Sequence, residues 1–518
     1  MYSGYTVHDS TFDSLTLNAG TTYMEANVTV GNLSVPAGAT VSVANGGGLY
    51  VTGSAIMAGT ATSPIILTTA SMTPTMGQWA GIAFQQGSTG TLSYVRVSYA
   101  GSGYLYNSAR DAGYATGILV EGGTPTIRNS TVDNNNGYGL QVVAGGAPML
   151  SNDGFDNNSN DAVRYDLSSP GYSVNLTDAG LSATHNGHDA VNLDGALSGA
   201  SKLQNVGIPV GLESVTVGVG ARLDVGANTT LRVNGNLAID GAMAISDTDT
   251  APVTIQVATY ASLNVNGTLN MAGTATDPIS LTAADPNGAN WAGSAFHPGS
   301  HGEIDRVHLS NAGDGHLYNA ASSAGYHAGI LVEGSSPAIS HSTIDASSYN
   351  GVQVIDGGVP VLSDDIFAGN HGYAIRFDYL PAIVPSYTDL RAIGNGAGDV
   401  ISVPGGEITG TVQVQDPSLP VRLDNSLTVD AGAQFSVGAA TTLQIVGALY
   451  ISGTVSMTGT ATSPVTLTSS TSSTPGQWAG IAFRPGSTGT LNHVHLSCGR
   501  REPVQQRIQC LLRNKYPG

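Results

Sequence analysis

Gly117-Ile118-Leu119-Val120-Glu121-Gly122 is the key to the architecture, because its pattern returns twice at short range. Gly139-Leu140-Gln141-Val142 follows 22 residues later, and Ala162-Val163-Arg164-Tyr165 follows 23 residues after that. Each run is short, rich in β-branched or aromatic residues, and bounded by Gly, Asn, Asp or Pro. That is strand-and-turn chemistry. A step of 22–23 residues fits one coil of a few short strands joined by bends. Stacked coils pair their backbones about 4.8 Å apart and fill the interior with apolar side chains. Alternation sends Ile118, Val120, Leu140, Val142, Val163 and Tyr165 inward. It sends Leu119, Glu121, Gln141, Val143, Arg164 and Asp166 outward.

A longer period encloses the coils. Gly77-Gln78-Trp79-Ala80-Gly81-Ile82-Ala83-Phe84 returns as Ala289-Asn290-Trp291-Ala292-Gly293-Ser294-Ala295-Phe296, and again as Gly476-Gln477-Trp478-Ala479-Gly480-Ile481-Ala482-Phe483. The Trp spacings are 212 and 187 residues, and the difference of 25 is about one coil. Gly-Thr-Ala-Thr precedes each Trp, at Gly59, Gly273 and Gly459. Such repetition is read before anything else. The chain divides into N-terminal coils of a partial module (1–58), module one (59–272), module two (273–458), a truncated third module (459–497) and an aberrant tail (498–518). The expected fold class is all-β, a right-handed parallel β-helix.

Composition agrees. Gly numbers 69 and charged residues are only 10%, so long helices rich in Glu, Lys and Leu are absent. The net charge of −19 argues against nucleic acid or an anionic membrane as partner, since both need a basic surface. No run of about 18 apolar residues predicts membrane insertion. No signal peptide is legible at Met1-Tyr2-Ser3-Gly4, which reads as a fragment boundary. Acidity and absence of cysteine from the repeats suit an extracellular or cell-surface location.

The tail breaks the pattern. After Ser497 the repeat calls for a segment like Tyr99-Ala100-Gly101-Ser102-Gly103-Tyr104-Leu105-Tyr106-Asn107, and Cys498-Gly499-Arg500-Arg501-Glu502-Pro503 stands instead. Synonymous codons read one nucleotide later restore A-G-x-G-x-L-Y-N-x-A, so the tail reads as a frameshift product. Both cysteines, Cys498 and Cys510, lie in it and indicate neither disulfide nor metal. An uncapped last coil exposes a strand edge, and end-to-end self-association is an expectation.

The stretch from Gly117 to Asn136 resembles parallel β-helix repeats of the pectin-lyase-like superfamily. The G-T-A-T-x-P and W-A-G-x-A-F patterns resemble large bacterial surface and secreted proteins. Together they cover most of the chain up to about Ser497. The resemblance implies polysaccharide enzymes, epimerase-like relatives and non-catalytic adhesins alike, because one fold hosts them all.

Three groups of residues are candidates for chemistry. Glu121, Val143 and Asp166 stack on the outer face, which puts the carboxylates roughly 9–10 Å apart, near the upper end for inverting glycosidases. Arg164 lies in the next row, and module two repeats the set as Glu333, Arg376 and Asp378. The plainer reading pairs Arg164 with Asp166 on the surface. Exact duplication also speaks against a single catalytic centre. The second group is aromatic: Tyr99, Tyr104, Tyr106 and Tyr114, with His316, Tyr318 and Tyr326 in module two. They occupy a loop of roughly 18 residues, and loops that long on a regular rod are often functional. Tyrosine has a flat apolar face and a polar tip suited to sugar rings. Modules about nine coils apart would repeat such a site along the rod and engage one polymer multivalently. The alternative is that the tyrosines pack the loop onto the coil.

The third group, Asp153, Asp156, Asn157, Asn158 and Asp161, is a candidate Ca2+ loop. Module two replaces Asp156 with Ala368 and Asp161 with Tyr373, and turn chemistry is the plainer reading. No other cofactor is expected. Asp364-Asp365 resembles the paired aspartates of polygalacturonase-type glycosidases, but its counterpart is Asn152-Asp153. Lysine is limited to Lys202 and Lys515, which leaves scattered arginines for the uronate chemistry of lyases. No nucleophile elbow, HExxH zinc site or P-loop is evident. The sequence favours a surface segment for adhesion or polysaccharide binding. A glycoside hydrolase or polysaccharide lyase working in an outer groove, and an inert spacer, are the alternatives.

Overall fold

A computed structural model describes residues 6–103, 105–107, 112–168, 172–247, 252–319, 324–380, 383–384, 387–415, 417–470 and 476–497. The tail and Tyr104 lie outside the described residues. Among the described residues every regular element is a strand. The fold is an all-β right-handed parallel β-helix, divided into two compact units. Met1–Ala374 with Ile393–Gly398 forms the first, and Ile375–Ala392 with Asp399–Gly518 the second.

In the first unit a coil consists of three strands. Gly81–Phe84, Thr89–Ser93 and Val95–Ser98 make one. Thr116–Glu121, Thr124–Arg128 and Thr131–Asp133 make the next, and Tyr138–Val143, Met149–Ser151 and Gly154–Asp156 the one after. Register is in phase, with Ile118 opposite Leu140 and Leu140 opposite Val163. All six residues expected inside are buried. A slip of one residue would turn these side chains to the surface, so burial fixes the register.

The repeated tryptophan has a structural purpose. Trp79 and Trp291 are fully buried, and their indole Nε1 atoms donate to the carbonyls of Ser98 and Ser310 at 2.8 and 2.9 Å. Burying so large a ring contributes several kcal/mol only if its N–H finds an acceptor. Gly81 follows because its φ is +121°, and a Cβ there would stand 2.6 Å from the carbonyl oxygen of Thr116. Corners are held by stacked asparagines. Asn135 Nδ2 donates to Asn158 Oδ1 and Asn158 Nδ2 donates to Asn186 Oδ1, both at 2.8 Å.

One expectation is corrected. The column of inward residues that starts at Ile82 passes through Ile118, Leu140, Val163, Val191, Val210, Leu231, Ile255 and Leu281 to Leu309. Leu309 lies 227 residues from Ile82, which overshoots the 212-residue module by 15. Ser294, the module-two equivalent of Ile82, instead stacks on Leu263 and Leu237 in a neighbouring column. Leu309 is the equivalent of Val97, which belongs to a different face in module one, between Leu67 and Val132. Nine irregular coils do not equal one module. Equivalent surfaces of the two modules therefore lie on different faces, not in line.

The second unit has the same construction. Ile401, Val421, Leu443, Leu467 and Leu496 form one column. Leu427, Leu449 and Ile481 form another. Trp478 Nε1 donates to the Ser497 carbonyl at 2.8 Å, which repeats the device of the first unit.

Candidate functional site

The aromatic loop folds as an antiparallel hairpin, Leu105–Asn107 against Ala112–Tyr114. Leu105 packs on the outer face with Tyr50, Ala80, Ala83, Leu119 and Val143, and Tyr114 lies against this cluster. Leu119 and Val143, expected at the surface, are thus buried, because a segment remote in the coil covers them. Module two repeats the arrangement with the hairpin Leu317–Asn319 and Ala324–Tyr326. There Leu317 and Tyr326 pack on Ala292, Ala295, Leu331 and Ile355. Tyr114 and Tyr326 therefore help to seat the hairpins. Tyr99 is half-buried at a corner with φ of 63°. The side chain of Tyr106 lies outside the described residues.

The proposed carboxylate row is in register but does not form an open pair. Glu121 stands opposite Val143, and the pairing of Val142 with Tyr165 carries Asp166 into the next coil. The equivalent Glu333 is only 3% exposed and accepts from His297 Nδ1 at 2.9 Å. Arg164 bonds Asp194 at 2.6 Å and lies 3.7 Å from Asp161, instead of pairing with Asp166. In the second unit Arg376 does pair with Asp378, at 2.9 Å, and also with Asp424 at 3.1 Å.

The Ca2+ candidates have protein partners and do not converge. Asp153 is buried, accepts from the backbone N–H groups of Ser130 and Ser151, and is raised to about 6 by burial. Asp156 accepts from Thr184 and contacts His185, and these two contacts lower its pKa. Asp161 holds His188 at 2.7 Å, Asn158 belongs to the asparagine ladder, and Asn157 donates to Asn134. Among the described residues no three His, Cys, Asp or Glu side chains group to hold a metal ion. Asp365, like Asp153, is buried on two backbone N–H donors, and burial raises it to about 7. It is a corner clamp rather than half of an exposed aspartate pair.

Two features were missed in the sequence. The first is an aromatic corner at the start of module two that takes in Tyr260 from the end of module one. The His327 ring stacks on Tyr349 with centroids 4.6 Å apart, and His316 meets His327 edge-on at 4.7 Å. Gly325 leaves room for the His316 ring, and Gly315 lies beside Tyr260. Tyr260, Tyr318 and Tyr349 are 60%, 55% and 51% exposed. One repeat earlier the equivalents of Tyr260, His327 and Tyr349 are Gly46, Ala115 and Gly137, so that repeat lacks the corner.

The second is a set of polar clefts. One of about 290 Å³ is lined by Tyr138, Asp161, Arg164, His188, Asn192 and Glu213. An adjoining one of about 270 Å³ shares His188, Asn192 and Glu213 and adds Arg232 and Asn234. A third, of about 560 Å³, lies under the Gly-Thr-Ala-Thr loop of module two, between Thr274, Pro278, Arg306, His308, His341 and Asp345. His308 Nε2 is 3.1 Å from Asp345, whose hydrogen bond raises the imidazole pKa. His341 Nδ1 is 2.8 Å from Asp305. In module one Arg96 and Asn129 stand in place of these histidines, so module one lacks this ionisable set, while His495 of the third module matches His308.

Residues 2–179 match the family model described as "Right handed beta helix region". The mannuronan C-5 epimerase AlgE6 A-module of Azotobacter vinelandii is 11% identical over 89% of this chain and 92% of that one, with a TM-score of 0.13. The AlgE4 A-module of the same organism is 12% identical over 93% and 91%, with a TM-score of 0.10. No curated protein matches the sequence. The fold rests on the strand register and the family match, and similarities this low add nothing on function.

Proposed function

We propose that the chain is an extracellular or cell-surface β-helix segment that binds polysaccharide. The observation that carries this reading is the aromatic corner. His316, His327 and Tyr349 are held ring to ring beside exposed Tyr260 and Tyr318. Rigid aromatic faces with polar edges bury the apolar face of a sugar ring at little cost in side-chain entropy. Affinity electrophoresis in gels containing individual polysaccharides tests it. At least one polymer retards the protein, and Tyr318→Ala with Tyr349→Ala together abolish the retardation. Equal retardation of the double variant removes the reading.

The enzyme alternative has one observation in its favour. The 560 Å³ cleft is lined by His308, Asp345 and His341; His308 pairs with Asp345 and His341 with Asp305, a set that module one lacks. Reducing-end and unsaturated-uronate assays on the same polymers separate the two readings. Turnover that disappears in His308→Ala replaces binding with catalysis.

A further inference from the structure

We infer that the third module presents an open socket for a hairpin-and-strand segment of this same repeat, of the kind residues 105–121 form in module one, supplied by another polypeptide chain. The inference goes beyond the polysaccharide-binding reading and does not depend on it.

Two filled sockets define the occupant. Beneath the first hairpin, Leu105 packs on Tyr50, Ala80 and Ala83. Beneath the second, Leu317 packs on Ala292 and Ala295. From each hairpin the chain runs on into a strand that pairs with the tryptophan coil. Ile118 and Val120 stand opposite Ile82 and Phe84, and Ile330 and Val332 opposite Ser294 and Phe296. Gly81 and Gly293 sit at the junction, with φ of +121° and +118°. A Cβ on Gly81 would stand 2.6 Å from the Thr116 carbonyl oxygen and 3.0 Å from Leu105 Cδ1. One on Gly293 would stand 2.3 Å from the Ala328 carbonyl oxygen and 3.2 Å from Leu317 Cδ1. In both modules the docked segment fills the space that a side chain at this glycine would take.

The third module builds the same socket and leaves it open. Residues 476–483 repeat residues 77–84 residue for residue. Tyr450 stands opposite Ala482 as Tyr50 stands opposite Ala83. The Ala479 N–H donates to the Gly447 carbonyl at 3.0 Å, as that of Ala80 donates to Gly47 at 2.7 Å. Gly480 keeps a left-handed φ of +95°, yet among the described residues no atom lies within 4 Å of where its Cβ would stand. Ala479 is exposed, and Tyr450, Ile481, Ala482 and Phe483 are half-buried, whereas their counterparts Ala80, Tyr50, Ile82, Ala83 and Phe84 are all buried. Gly480–Phe483 is the last strand of its sheet, so among the described residues its outer edge has no paired strand. Residues 498–518 contain neither the Leu-Tyr-Asn nor the Ala-Gly-Tyr of the two hairpins. Arg484 lies 5.0 Å from the Tyr450 ring centroid, where the other modules have Gln85 and His297. A cation over an aromatic face is a partial substitute for the missing apolar cover. An added strand gains main-chain hydrogen bonds along the free edge, and a leucine seated on Ala479 and Ala482 supplies the specificity.

The test titrates a fluorescent synthetic peptide of residues 103–121 with the full chain and follows anisotropy. One peptide should bind per chain, because modules one and two hold their own hairpins. Leu105→Asp in the peptide should weaken binding about tenfold or more, since the buried leucine is lost while the protein is unchanged. Ala482→Glu in the full chain should weaken it as much, with an unaltered circular-dichroism melt to show that the variant is folded. Absence of saturable binding overturns the inference, and so does equal affinity of the Leu105→Asp peptide. Equal affinity of a peptide of residues 116–121 alone also overturns it, because any strand added to the edge would then suffice.

Discussion

His297 Nδ1 lies 2.9 Å from Glu333 Oε2, and both side chains are largely withdrawn from water. Removing one partner of such a pair leaves a buried polar group uncompensated, at a cost of about 3–5 kcal/mol. His297→Ala should therefore lower the urea midpoint of unfolding clearly. Met72→Ala, at a side chain 95% exposed, should change stability by only about 0.5 kcal/mol. Similar midpoints for the two variants would contradict the pairing.

Trp291 combines a fully buried ring with a hydrogen bond to Ser310. Trp291→Phe keeps most of the apolar volume but orphans the carbonyl, costing about 1–3 kcal/mol. Trp291→Ala adds a cavity, for a total of about 3–5 kcal/mol. Thermal melts of the two variants should rank in that order, and a Trp291→Phe melt equal to the wild type's would show that the indole N–H contributes nothing.

Burial raises Asp365 to about 7 and Asp153 to about 6, against an ordinary 3.8. Between about pH 4 and 7 the native chain then binds more protons at these positions than the unfolded chain. Their contribution to stability falls as pH rises through that window. Asp365→Asn removes one titration, so its melting temperature should decline less between pH 4.5 and 7.5 than that of the wild type. Parallel profiles would mean that the two backbone N–H groups keep the carboxylate ionised throughout.

Asn158 accepts from Asn135 and donates to Asn186 and to the Val132 carbonyl. Asn158→Ala should cost about 1–3 kcal/mol and release protection locally. Hydrogen exchange should quicken at Asn135 and Ser159 and stay unchanged at Trp291. Uniform quickening would indicate that the ladder stabilises the whole unit rather than one corner.

The coil period, the inward residues and the Trp-centred modules were legible in the sequence, because apolar alternation and turn residues are local signals. The covering of Leu119 and Val143 was not, since it depends on where Leu105 docks after the chain turns. The displacement between modules was hidden by uneven coil lengths. Ile82 to Ile118 takes 36 residues and Val191 to Val210 takes 19, so no average period counts the faces correctly. The aromatic corner joins Tyr260 to Tyr349 across four coils, and each tyrosine alone looks like an ordinary turn residue. The His308 and His341 pairs were missed because their partners, Asp345 and Asp305, are 37 and 36 residues away.

A module of 212 residues that stops short of whole coils behaves like a screw thread with an offset start. Within the first unit the second copy keeps much of the sequence but takes a new compass bearing. Gene duplication in such an array alters orientation before it alters chemistry, and each surface can then diverge on its own side of the rod. Module two accordingly carries His308 and His341 where module one has Arg96 and Asn129.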